Sequence, residues 1–158
     1  MDKSSTSTLN YNTEKQELKA AWGDWISTLA SWEWFVTMTL RDPPANARGW
    51  DRPGWASAKR AWADLVGHAR PALGELATVR MFEIQKDRSV PHIHALVANC
   101  DPTVRRMDLV DWAYRRWGIT RVLEYNHELG ARFYLCKYVT KELADSEVSG
   151  RLDNRHKL

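Results

Sequence analysis

Hydrophobic positions along this chain alternate between helical and strand periods, and each switch marks an element. Between 14 and 31, Leu18, Ala21, Trp22, Trp25 and Leu29 recur at helical spacing, which predicts an amphipathic helix. Trp34-Phe35-Val36-Thr37-Met38-Thr39-Leu40 is aromatic and β-branched and reads as a strand. Three prolines and two glycines between 41 and 54 predict a long loop. A helix is expected from about 55 to 70, stopped by Pro71 and Gly74, then strands at 77–86 and 90–98 around a tight turn. Asp101-Pro102 opens a helix that runs to Trp117 and ends at Gly118; Ile119–Tyr125 reads as a strand, and 128–144 as the last helix.

The order α-β-α-β-β-α-β-α predicts an α+β fold, a central antiparallel sheet of four to five strands flanked by helices. Residues 1–13 are Ser/Thr-rich with little to bury and are expected to be disordered. The folded domain is expected over 14–144, with a polar tail over 145–158.

At 158 residues the chain is long enough to bury one core, and 44% apolar with 27% charged residues is the usage of a globular domain. No apolar run reaches the roughly 20 residues of a membrane span, and the N-terminus has no signal-like apolar stretch. Cys100 and Cys136 are the only cysteines, so a disulfide framework is not expected and a reducing, cytoplasmic setting is.

The net charge of +3 is unevenly placed: residues 41–60, 103–121 and 130–141 each net +3, and the rest nets −6. Three basic segments on an otherwise acidic chain predict one electropositive face, as a polyanion would require. Trp50 and Trp55 lie in or beside the Pro/Gly loop with Arg41, Arg48 and Arg52. Together with Arg132 they are the candidate nucleic-acid contacts, since loop aromatics beside arginines can stack unpaired bases. Trp22, Trp25 and Trp62, at helical positions, are assigned to the core.

Two stretches carry chemistry. In the 82–97 hairpin, a two-residue turn at Arg88-Ser89 would set Gln85 opposite His92 and Glu83 opposite His94. Alternation would then put all four side chains on one face. Phe82, Ile84, Ile93, Ala95 and Val97 would fill the other. Two imidazoles and a carboxylate suit a divalent metal with open positions. The second stretch, Tyr134-Leu135-Cys136-Lys137-Tyr138-Val139-Thr140-Lys141, repeats Tyr-x-x-Lys. On a helix, Tyr134, Lys137, Tyr138 and Lys141 share one stripe. Tyrosine can act as a covalent nucleophile, and a nearby ammonium can stabilise charge on a phosphate.

At these residues the chain resembles the HUH endonucleases, the family of rolling-circle replication initiators, relaxases and some transposases. His92-Ile93-His94 is similar to its His-hydrophobic-His motif and Tyr134–Tyr138 to the two-tyrosine motif of phage-type initiators. Trp34–Leu40 is similar to the family's first motif, and the likeness spans roughly 33–142. The resemblance implies a five-stranded antiparallel sheet, whose fifth strand is expected from the 41–54 loop. It also implies a site-specific nick in single-stranded or hairpin origin DNA. His92, His94 and Glu83 or Gln85 would hold Mg2+ or Mn2+; Tyr134 or Tyr138 would attack; Lys137 and Lys141 would contact phosphate or phenolate. A monomer working with a host helicase is expected. The rivals are a transposase-type enzyme, a DNA-binding module without catalysis, and an RNA-binding domain on a similar sheet.

Overall fold

The computed structural model describes residues 4–42, 53–70, 75–84, 90–135 and 146–152, with side chains from residue 11 onward. Its elements are α1 (Ser4–Ser27), β1 (Trp34–Leu40), α2 (Trp55–Ala69), β2 (Ala77–Ile84), β3 (Pro91–Ala98), α3 (Arg106–Arg116), β4 (Gly118–Glu124), α4 (Gly130–Leu135) and β5 (Ser146–Ser149). The five strands form one antiparallel sheet in the order β4-β1-β3-β2-β5. The α+β architecture therefore stands as expected.

The sheet is covered on both faces. In β1 alternate residues turn inward: Val36, Met38 and Leu40 are buried on one face, while Thr37 and Thr39 point to the other. The first face packs against α2, through Ala58, Ala61, Trp62 and Leu65, and against Leu109 and Ala113 of α3. These positions recur three and four apart along each helix, so each presents a continuous apolar stripe to the sheet. The second face packs Val79, Met81 and Leu96 against Ile26, Leu29 and Trp32 after α1, and against Ala131, Tyr134 and Leu135 of α4. Central β3 is buried on both sides. Each fully buried Leu or Ile in these layers contributes about 1.5–3 kcal/mol relative to exposure.

Four expectations are corrected. Helix α1 starts at Ser4 instead of 14, because adding turns to an existing helix costs far less than nucleating one. Its expected core face is mostly outside: Leu18 and Trp25 are about half exposed, and the chain enters the core at Ile26 and Leu29. Helix α3 starts at Arg106, five residues late, because the Asp101 carboxylate accepts bonds from the Thr103 N–H (2.8 Å) and hydroxyl (2.7 Å) and makes a turn there. The fifth strand comes from the expected polar tail and pairs with β2; residues 43–52 of the long loop lie outside the described residues.

β5 is docked by more than its ladder. The Arg80 guanidinium, 5% exposed in β2 and 4.1 Å above the Phe82 ring, meets the Glu147 carboxylate at 2.6 Å. Thr78 and Ser149 hydroxyls bond at 2.9 Å. Gly150 then takes φ +89°, where an added Cβ would strike the Leu76 carbonyl.

Candidate active site

The pairing of β2 with β3 decides which polar groups meet. The ladder sets Glu83 opposite His92 and Met81 opposite His94, and its last pair is Ile84 with Pro91. This register differs by two residues from the tight hairpin expected from the sequence, which set Gln85 against His92. The connection occupies 85–90 instead of two residues, and β3 opens on Pro91, where a missing N–H disturbs the ladder least. Because strand side chains alternate with period two, a two-residue shift leaves Glu83 on the histidine face. Phe82, Ile93, Ala95 and Val97 fill the other face as expected, whereas Ile84 is 38% exposed at the ladder's end. Gln85 lies outside the described residues.

Across the sheet the histidine face consists of three rows. Ile119, Thr39, His92 and Glu83 form the first; Arg121, Thr37, His94, Met81 and Ser146 the second; Leu123, Phe35, Leu96, Val79 and Val148 the third. His94 is buried, with Nδ1 3.5 Å from the Thr37 hydroxyl and Nε2 3.5 Å from the Glu83 carboxylate. The two imidazole rings stand 5.9 Å apart, and that of His92 is less buried. Thr37 thus supplies the oriented outer contact that a ligating imidazole commonly has. The sequence reading missed it, although Thr37 and Thr39 at alternate positions of an otherwise apolar strand were a visible signal.

Two imidazoles and a carboxylate on one face suit a divalent cation in donor type. His94 and Glu83 already face one another, but among the described residues no three His, Cys, Asp or Glu groups are drawn together closely enough to hold an ion as they stand.

Helix α4 brings Tyr134 to this face. Its ring lies 4.9 Å from Phe35, which in turn stacks on His94 at 6.4 Å, and 5.2 Å from Tyr125. The helix is held there by Ser27, whose hydroxyl accepts the Ala131 N–H at 3.0 Å and donates to the Gly23 carbonyl at 2.9 Å. Gly23 permits the close crossing: a Cβ there would come within 2.5 Å of Arg132 Cβ. Tyr134 is only 7% exposed, and its phenol oxygen accepts the Asn126 N–H at 2.9 Å. Burial raises the pKa of the neighbouring Tyr125 phenol and keeps it protonated. Lys137, Tyr138 and Lys141 lie outside the described residues.

The expected nucleic-acid contacts divide between layers. Trp55 opens α2 and stacks on Phe82 at 5.9 Å, on the face away from the histidines. Arg41 donates to the Tyr114 carbonyl of α3 at 2.7 Å. Arg132 is exposed on α4, on the histidine side; Arg48, Trp50 and Arg52 lie outside the described residues. The basic segments likewise do not make one face. Arg105 pairs with Asp108, Arg116 with Asp64, and Arg106 donates to the Val122 carbonyl, all around α3, while Arg121 points to the histidine side. Trp62 is in the core and Trp22 packs against it, but Trp25 is half exposed. Cys100 sits beside Glu33; burial, then that carboxylate, pushes its thiol far up and leaves it protonated.

Residues 33–143 match a family of replication-associated proteins, described by its ORF2 member type. Neither a curated protein nor a solved structure matches the chain.

Proposed function

The chain belongs to the ORF2-type family of replication-associated proteins, and from that premise we propose that it is a metal-dependent endonuclease and strand transferase. It would nick single-stranded or hairpin origin DNA through a 5′-phosphotyrosine and so initiate rolling-circle replication. The observation that carries this reading is the convergence on one sheet face of His92, His94 and Glu83 with the helix that leads into the Tyr-x-x-Lys repeat.

His92, His94 and Glu83 would hold Mg2+ or Mn2+, which when bound would neutralise charge on the scissile phosphate. Thr37 keeps the His94 ring turned so that Nε2 and the Glu83 carboxylate present to the same side. The attacking group is assigned to Tyr138. Tyr134 is buried with its oxygen already accepting the Asn126 N–H, an arrangement that serves packing, while Tyr138 follows one helical turn later in the repeat. In the step, the Tyr138 oxygen bonds to phosphorus as it loses its proton. The bond from phosphorus to the 3′ oxygen breaks, and that oxygen takes up a proton as the free 3′-hydroxyl. The reverse attack by a 3′-hydroxyl rejoins strands. Lys137 and Lys141 would stabilise the phenolate and the charge on phosphate.

The test is a denaturing gel with a single-stranded library that includes hairpins, with Mn2+, comparing wild type, Tyr134→Phe, Tyr138→Phe and the double substitution. A metal-dependent covalent band that survives Tyr134→Phe and vanishes in Tyr138→Phe is expected. Loss only in the double substitution would establish two competent nucleophiles instead. A wild type that binds DNA and forms no adduct would reduce the protein to a binding module of the same fold.

A further inference from the structure

The histidine face is only half covered. Helices α1 and α4 pack over the β2–β3 side, through Val79, Met81 and Leu96. On the β1–β4 side the rows end in Ile119, 56% exposed, Arg121, also exposed, and Leu123, 49% exposed. Behind them lie Thr39, Thr37 and Phe35, each partly exposed. Two aliphatic side chains left in water on the outer strand, with an arginine between them, do nothing for the fold that polar residues would not do. A patch of this kind on the face of a sheet marks an interaction site.

Its chemistry selects the partner. Of the strand side chains described on this face, Glu83 is the only acid. The open strip thus offers one cation, two hydroxyls and apolar surface, with no anion. Duplex DNA presents phosphates and hides its base faces; a single strand presents both together, and needs apolar surface for the bases with a cation for the backbone. Arg121 is two strands from His94 in the same row, about 10 Å at the usual strand spacing, within a nucleotide or two of a phosphate at the histidines.

We infer that the β1–β4 half of this face is the track for the unpaired strand beside the scissile phosphate. Ile119 and Leu123 support bases and Arg121 takes a phosphate. The inference rests on the nicking reading for its substrate, but it is tested without chemistry. It moves strand binding away from Arg41 and Trp55, which lie on the opposite layer.

Binding is measured by fluorescence anisotropy in EDTA, using a labelled mixed-sequence single strand and a blunt duplex of the same length. The proteins are wild type, the double variant Ile119→Thr/Leu123→Thr, Arg121→Gln, and Met107→Thr as an exposed apolar control on α3, with circular dichroism melts for each. Single-strand affinity should fall about fivefold or more in the double variant, with the duplex unaffected. Arg121→Gln should reduce the slope of log affinity against log salt by about 0.7, and Met107→Thr should change neither. Arg121→Gln decides the matter if the double variant fails to fold. Unchanged single-strand affinity and salt slope in folded variants overturns the inference. So does equal loss of duplex binding, or a wild-type dimer in sedimentation that these substitutions dissociate, which would assign the strip to a second copy. Strip-dependent binding without any covalent adduct would leave the track standing and remove the nicking reading.

Discussion

At the scale of single residues, two glycines in helices show how position outweighs propensity. Glycine costs a helix about 1 kcal/mol relative to alanine. At Gly67 in α2 an added Cβ would meet nothing within 4 Å, so Gly67→Ala should raise stability by about 0.5–1 kcal/mol. At Gly23 the Cβ would fall 2.5 Å from Arg132 Cβ and 2.7 Å from its Cα. Backbone cannot turn away as a side chain can. Gly23→Ala should therefore destabilise, by about 1–3 kcal/mol after overpacking outweighs the helix gain, and should loosen α4 where it carries Tyr134. Urea unfolding of the two variants checks the opposite signs.

Among the elements, β5 is the one whose sequence advertises it least. Four residues, Ser146–Ser149, contain a single apolar side chain, and the strand exists because β2 offers an open edge and a buried cation. Removing Glu147 leaves Arg80 in place with its guanidinium 5% exposed over Phe82. A fully buried pair broken in this way costs about 3–5 kcal/mol, but the Glu147 side chain is 52% exposed, so water can replace part of what it supplies. Glu147→Ala should cost about 1–2 kcal/mol. Hydrogen exchange should quicken along β2, at Thr78 to Met81, and remain slow in β1 and β3. Uniform exchange across the sheet would show that β5 is not a separate edge unit. An uncovered β2 edge should also make the variant more prone to aggregate.

For the whole molecule, the sheet joins two cores, one under α2 and α3 and one under α1 and α4, and the candidate site lies on the second. A cation held by His92, His94 and Glu83 binds only the folded chain, so it should raise the melting temperature as its concentration exceeds the dissociation constant; a hundredfold excess corresponds to about 2.7 kcal/mol. Imidazole must be neutral to bind metal. The Mn2+-induced rise should therefore be larger at pH 7.5 than at about pH 5.5, where protons compete for histidine. His94→Ala should abolish the Mn2+ shift at both. A shift that survives this substitution would place the cation elsewhere. No helix among the described residues is long and apolar enough to cross a membrane.

The sequence by itself determined the periods, and periods decide faces. β1 is found over the seven residues its composition predicted, and helix α2 ends within a residue of its expected bounds. His92, His94 and Glu83 share a face whichever even register the hairpin takes, because alternation depends on the chain alone. What partners each residue across the sheet is not local. The tertiary structure decided that Glu83 stands in the row of His92, that Thr37 touches His94, and that the fifth strand comes from a polar tail. It also divided the arginines between two layers, since a charge count along the chain has no direction in space. Register, edge pairing and layer all depend on contacts between residues far apart in sequence, and their energies exist only once the sheet has formed.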